Sequence, residues 1–149
     1  MALQTFQEFA RDFVPDLEMS SSRRFDLVFD DKGLYVDVTL TNDDKTVLSD
    51  IYVLDVSAFM GGVRRSLVHA VMGINEVAAQ NSNFMVTIDS RNYLVLSGYC
   101  QLDGLRSESF DRELTFWLDQ ANRLRSLAQT ISFQSEDIGY ELDTVAGGM

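Results

Sequence analysis

From Phe25 onward the chain alternates apolar and polar residues: Phe25, Leu27 and Phe29 against Asp26 and Asp30, then Leu34, Val36, Val38 and Leu40 against Tyr35, Asp37, Thr39 and Thr41. A period of two puts every second side chain on one face, so these runs read as sheet strands with one buried side. Asp31-Lys32-Gly33 joins them as a hairpin, and Asn42-Asp43-Asp44-Lys45 closes the second strand. A third strand is expected over roughly Val47 to Val56. There Ile51 and Val53 fall on one face and Tyr52, Leu54 and Val56 on the other, so both faces read as apolar and the second needs a cover, from another element or another chain.

Around this meander the period is helical. Leu3, Phe6, Ala10 and Phe13, with Phe9 beside them, predict a first amphipathic helix that Pro15 ends, followed by the polar loop Ser20-Ser21-Ser22. After Gly61-Gly62, the stripe Leu67, Val71, Ile74 and Ala78 predicts a second helix to about Asn81. Phe84, Val86 and Ile88 alternate again, Asp89-Ser90-Arg91-Asn92 turns, and Tyr93 to Tyr99 returns as a second hairpin. Phe110, Leu114, Trp117, Ala121, Leu124, Ala128 and Ile131 then step by four and three along a last helix, capped by Ser107 or Ser109. Glu108, Asp111 and Glu113 near its start and Arg123 and Arg125 towards its end suit the helix dipole.

The expected fold is therefore α+β: an antiparallel sheet, made of a three-stranded meander plus a hairpin, packed with three helices in the order α-β-β-β-α-β-β-α. Residues 1–132 read as a single domain, and 133–149 as an acidic, flexible C-terminal tail. With 149 residues, one core is the natural number.

Charge narrows the function. Twelve Lys and Arg against twenty-three Asp and Glu give a net charge of -11, which repels nucleic-acid phosphates and anionic lipid surfaces. Met1 to Phe13 lacks a basic flank and a continuous apolar run, so neither a signal peptide nor an anchor is expected, no membrane insertion follows, and a cytoplasmic location fits.

Catalytic and metal chemistry finds little support. His69 has Arg65 and Gly73 as its neighbours one helical turn away, and no nucleophile; it reads as an ordinary packed or surface histidine. Cys100 lacks a CxxC partner and a nearby positive charge, so structural burial is expected. The pairs Asp30-Asp31 and Asp43-Asp44 read as solvated turns without the further ligands of a calcium loop, and Gly61-Gly62 as a turn with a weak anion-site option beside Arg64-Arg65. The Trp117 stripe reads as core. The chain is expected to be no enzyme and to carry no metal and no cofactor.

The element order, together with the apolar first helix running into Phe25-Asp26-Leu27-Val28-Phe29-Asp30, resembles the class I type III secretion chaperones, the small acidic proteins that escort effectors in Gram-negative bacteria. The second half carries the resemblance further, through the helix with Leu67, Val71 and Asn75, then Phe84-Met85-Val86-Thr87-Ile88-Asp89, Tyr93-Leu94-Val95-Leu96, Leu102, and the helix with Phe110, Leu114, Trp117 and Ala121.

This resemblance implies a homodimer that holds the N-terminal segment of a secreted effector in extended form, with the ATPase of the secretion apparatus as a further partner. Phe6, Phe9, Tyr52, Leu54 and Val56 resemble the surfaces that receive effector side chains. Val68, Met72 and Val77 resemble part of the dimer interface. Ordering a disordered partner costs about 2 to 5 kcal/mol or more, and one buried large apolar side chain returns roughly 1.5 to 3, so such binding needs several anchors plus pairing along a strand edge. The rival reading is a regulatory or sensory domain of the same shape that binds a folded protein or a small ligand.

Overall fold

The computed structural model describes the backbone of residues 2–19 and 21–147 and side chains as far as Phe133. Its elements are α1 (Ala2–Phe13), β1 (Arg24–Phe29), β2 (Leu34–Leu40), β3 (Thr46–Asp55), α2 (Gly61–Asn81), β4 (Phe84–Ile88), β5 (Tyr93–Gln101) and α3 (Ser107–Gly147). The five strands form one antiparallel sheet in the order β1-β2-β3-β5-β4, so the second hairpin inserts its later strand beside β3.

The registers put the alternating apolar residues in rows. Leu27, Val36, Ile51, Leu96 and Val86 are successive cross-strand partners, as are Phe25, Val38, Ser49, Gly98 and Phe84. These rows form the face on which the helices pack. Trp117 of α3, fully buried, lies against Gly98: a Cβ at that glycine would stand 2.2 Å from the indole, so only glycine lets the ring reach the β5 backbone. The indole N–H donates to Asn83 Oδ1 at 3.2 Å, which gives the buried polar atom a partner.

Helix α1 is fastened by aromatic contacts. Phe9 and Phe13 each meet Phe110 edge-on, with centroids 5.0 and 4.9 Å apart, and Phe6 lies 5.8 Å from Phe25 of β1. The helix ends at Phe13, where Pro15 cannot continue it. Of the two serines at the start of α3, Ser109 caps it by reaching back, its Oγ accepting the Arg106 N–H at 3.2 Å, while Ser107 Oγ donates to Asp12 of α1. The apolar stripe of α3 ends at Ile131, but its helical backbone continues to Gly147, so the segment from Phe133, expected as a tail, begins as a continuation of the helix.

Candidate partner-binding surfaces

The sheet face opposite the helices carries a different set of rows. Val28, Tyr35, Tyr52, Val95 and Thr87 form one, and Asp26, Asp37, Asp50, Ser97 and Met85 the next. Tyr35 and Tyr52 are direct cross-strand partners with rings 5.6 Å apart, and Tyr93 meets Tyr52 edge-on at 5.9 Å. Burial, the largest cause at both, lifts the Tyr35 and Tyr52 phenols above the ordinary value, so both are neutral hydrogen-bonding groups at pH 7. Asp37 is the one carboxylate of its row that is almost fully buried, and Arg24 Nε donates to it at 2.6 Å.

A β-bulge decides which residues of β3 reach this face. Tyr52 pairs with Val95 and Leu54 with Leu94, so Val53 is an extra residue in the ladder. Val53 and Leu54 thus both stand against the single Leu94, Val53 buried in the core and Leu54 half-buried. Tyr52 stays on the open face, while Leu54 joins the side of Leu94 and packs partly on the core. Val56, just beyond the strand, is fully buried and its N–H donates to Asn92 O at 2.8 Å. The expectation that Tyr52, Leu54 and Val56 share one surface is therefore corrected for Val56, which lies in the core, while Tyr52 and Leu54 stay half-buried on the two sides of the bulge. The sequence signal was the unbroken apolar run Ile51-Tyr52-Val53-Leu54, which departs from strict alternation at the bulge.

Phe6 and Phe9 are corrected in the same way. Both lie in the hydrophobic core, under 10% exposed, clamped between β1 and α3. They face inward because α1 is the lid of that core, and they offer no surface to a partner in this conformation.

Tyr52 and Leu54 meet again in a cleft of about 690 Å³ lined by Arg24, Tyr35, Arg91, Tyr93 and Arg125 among others. It opens where β3 overruns β2. Pairing of β2 with β3 stops at Tyr35 and Tyr52, whereas pairing of β3 with β5 continues to Asp55 and Tyr93. Val53 to Asp55 thus form the cleft's inner wall beyond their last partner on β2. On its other side Gly33 closes the β1–β2 turn with a positive φ of 62°, and Arg125 of α3 donates to the carbonyls of Lys32 and Gly33. Sequence reasoning missed all three arginines of this cleft, since Arg24, Arg91 and Arg125 come from three separate elements or turns and no spacing links them.

The second exposed surface is on α2. Val68, Met72 and Val77 are 40%, 65% and 62% exposed. At about 100° per residue, Val68 and Met72 stand within about 40° of each other, but Val77 is about 140° further round, on the far flank of the buried stripe Leu67, Val71 and Ala78. The helix thus brings two of the three together and sets the third apart. Between the Val68–Met72 flank and the core, Asn75 reaches the outer strand β4: its amide donates to Val86 O and its oxygen accepts from Val86 N, both at 2.7 Å.

His69 is exposed on α2, and Cys100 is partly buried, its thiol pushed up to about 11 by burial and then by Glu113. A thiol so held stays protonated at neutral pH. Among the described residues no group of three or more His, Cys, Asp or Glu could hold a metal ion, and no helix is long and apolar enough to cross a membrane.

No family model matches the sequence, and neither does a curated protein. Solved structures do match. A chain of the ExsC–ExsE complex aligns with a TM-score of 0.65 at 20% identity, over 85% of this chain and 92% of that one. A chain of the HopA1–SchA chaperone–effector complex aligns at 0.66 with 11% identity, over 85% and 97%. A chain of the complex of the Yersinia pestis type III secretion chaperone SycH with a stable fragment of YscM2 gives 0.56 at 13% identity, over 83% and 99%. At these identities the likeness concerns architecture, and on that ground this α-β-β-β-α-β-β-α chain has the α+β fold of the type III secretion chaperones.

Proposed function

We propose that the chain is a class I type III secretion chaperone: a homodimer in the cytoplasm of a Gram-negative bacterium that binds the N-terminal region of one or more effectors in extended form and keeps them soluble and ready for secretion. The observation that carries this reading is the agreement in fold with SchA and SycH type structures, which were solved holding polypeptide partners. Two surfaces support it. The Val68–Met72 flank of α2 leaves apolar side chains in water, as a dimer interface does before it closes. The cleft lined by Tyr52 and Leu54 offers aromatic rings beside a strand that overruns its neighbour, which suits an extended segment better than a folded surface. The net charge of -11 keeps such a protein soluble while it exposes apolar area, and the secretion ATPase is the further partner in this scheme.

The test is to tag the protein in its own host under secretion-inducing conditions, purify it gently, and identify what accompanies it by mass spectrometry and limited proteolysis. A secreted protein whose N-terminal region is protected from protease is the expected result. Recovery of a dimer alone, or of a metabolite or a folded regulator, would overturn the proposal.

A further inference from the structure

Three guanidinium groups line the cleft of a chain whose net charge is -11, and their commitments differ. Arg24 bonds Asp37 at 2.6 Å and lies 3.8 Å from Asp26, so its charge is met by carboxylates. Arg125 donates to the carbonyls of Lys32 and Gly33 and to Asn122 Oδ1; it holds α3 on the β1–β2 turn. Arg91 is tied more loosely than either, by one long ion pair and one long hydrogen bond. Its guanidinium carbon stands 5.7 Å from the centroid of Tyr52, one nitrogen is 3.5 Å from the Tyr52 hydroxyl and 3.8 Å from Asp89 Oδ2, and the side chain is 69% exposed.

Asp89 is already employed in the turn. Its Oδ1 accepts the backbone N–H groups of Arg91 and Tyr93, both at 2.9 Å, which fixes where the arginine leaves the hairpin. Tyr52 is fixed in turn between Tyr35 and Tyr93. The result is a guanidinium steadied over an aromatic ring at the rim of a cleft, with N–H groups left to bind. A planar fork of that kind matches a carboxylate, and being held in place beforehand lowers the entropy lost on pairing.

We propose that Arg91, seated on Tyr52, is a carboxylate-reading subsite that takes an aspartate or glutamate side chain of the extended segment bound in the cleft. The inference rests on the reading of this chain as a polypeptide-binding chaperone. Against the chain's net charge of -11, an acid accepted at this point sets the register of the segment and discriminates among partners. The rings of Tyr35 and Tyr93 flank that point and offer apolar contact to the residues on either side.

The test is selection of a phage-displayed random peptide library on the full-length protein and on Arg91→Glu, which alters an exposed side chain and should leave the far-UV circular dichroism unchanged. Peptides selected on the parent protein are expected to share an Asp or Glu at one position among apolar residues, and Arg91→Glu should exchange it for Lys or Arg. Replacing that acid by its amide in a synthetic peptide should weaken binding to the parent about five- to twentyfold and leave binding to Arg91→Ala unchanged. Free glutamate or succinate at millimolar concentration should not displace the peptide; displacement would mean a small acid is the ligand and would overturn the proposal. Peptides selected without an acidic preference would overturn the subsite and leave the chaperone reading standing. Failure to select any peptide would overturn both.

Discussion

Asn75 of α2 treats Val86 of β4 as a strand partner would, giving an N–H to its carbonyl and taking its N–H in return, both at 2.7 Å. β4 is an outer strand of the sheet, so the side chain closes a stretch of edge that would otherwise be open to a second chain. Asn75→Ala should therefore lower stability by about 1–3 kcal/mol, because two backbone groups lose their partners. Urea unfolding measures the loss. Asn75→Asp keeps the acceptor alone and should fall between the two.

Gly98 and Trp117 leave no room for a methyl group. Gly98→Ala places Cβ 2.2 Å from the indole, and the expected destabilisation is about 3 kcal/mol. Since the clash is with the ring, adding Trp117→Phe should recover part of the loss, which a double-mutant cycle would quantify.

The bulge at Val53 separates two substitutions that a regular strand would make equivalent. Tyr52 lies on the open face and Leu54 packs partly on the core, so Tyr52→Asp should leave the fold intact and weaken partner binding, whereas Leu54→Asp should also cost about 1–3 kcal/mol of stability. Thermal melts beside binding titrations would separate the two effects. Loss of far-UV helical signal in Tyr52→Asp would place that residue in the core and remove it from the binding surface.

Acid should first stabilise the protein and then destabilise it. Burial lifts the Asp37 carboxyl above the ordinary 3.8, against the hydrogen bond from Arg24 and with help from Asp26 across the strand pair. The folded state then binds this proton more readily than the unfolded chain, so stability rises as pH falls from neutral towards the ordinary aspartate range. Asp43 and Asp55 have the opposite sign. The Thr41 hydroxyl and the Ser57 backbone N–H, respectively, hold them low, and their contribution is lost as pH falls through those depressed values. Urea midpoints across pH should pass through a maximum on the acidic side of neutral, and Asp37→Asn should remove the rise while keeping the fall.

On the α2 surface, Met72→Glu should convert the homodimer proposed above to a monomer, read by light scattering after gel filtration, with no loss of helical signal. Val77→Glu, on the far flank of the helix, should leave the dimer intact.

Periodicity located the strands and the starts of the helices closely: β2 and α2 follow their apolar stripes, and Pro15 stops α1 where a ring-locked residue must. It could not locate the surfaces. Whether Phe6 and Phe9 face a partner or a core depends on what packs above them, which only the folding back of Phe25 and Phe110 decides. The apolar run Ile51-Tyr52-Val53-Leu54 marks the bulge only by its want of alternation, and it does not say which residue is the extra one, since all four are apolar. The arginine cleft depends on residues about a hundred positions apart, and no local pattern announces it.

Trp117 is the chain's single tryptophan, fully buried, with its N–H tied to Asn83 and its ring outside the lining of the arginine cleft. The protein therefore carries an internal fluorescent gauge of its core that is deaf to the cleft. A peptide titration should leave the tryptophan emission wavelength fixed while denaturant shifts it to the red, so occupancy and unfolding can be followed in one cuvette without confusing one for the other.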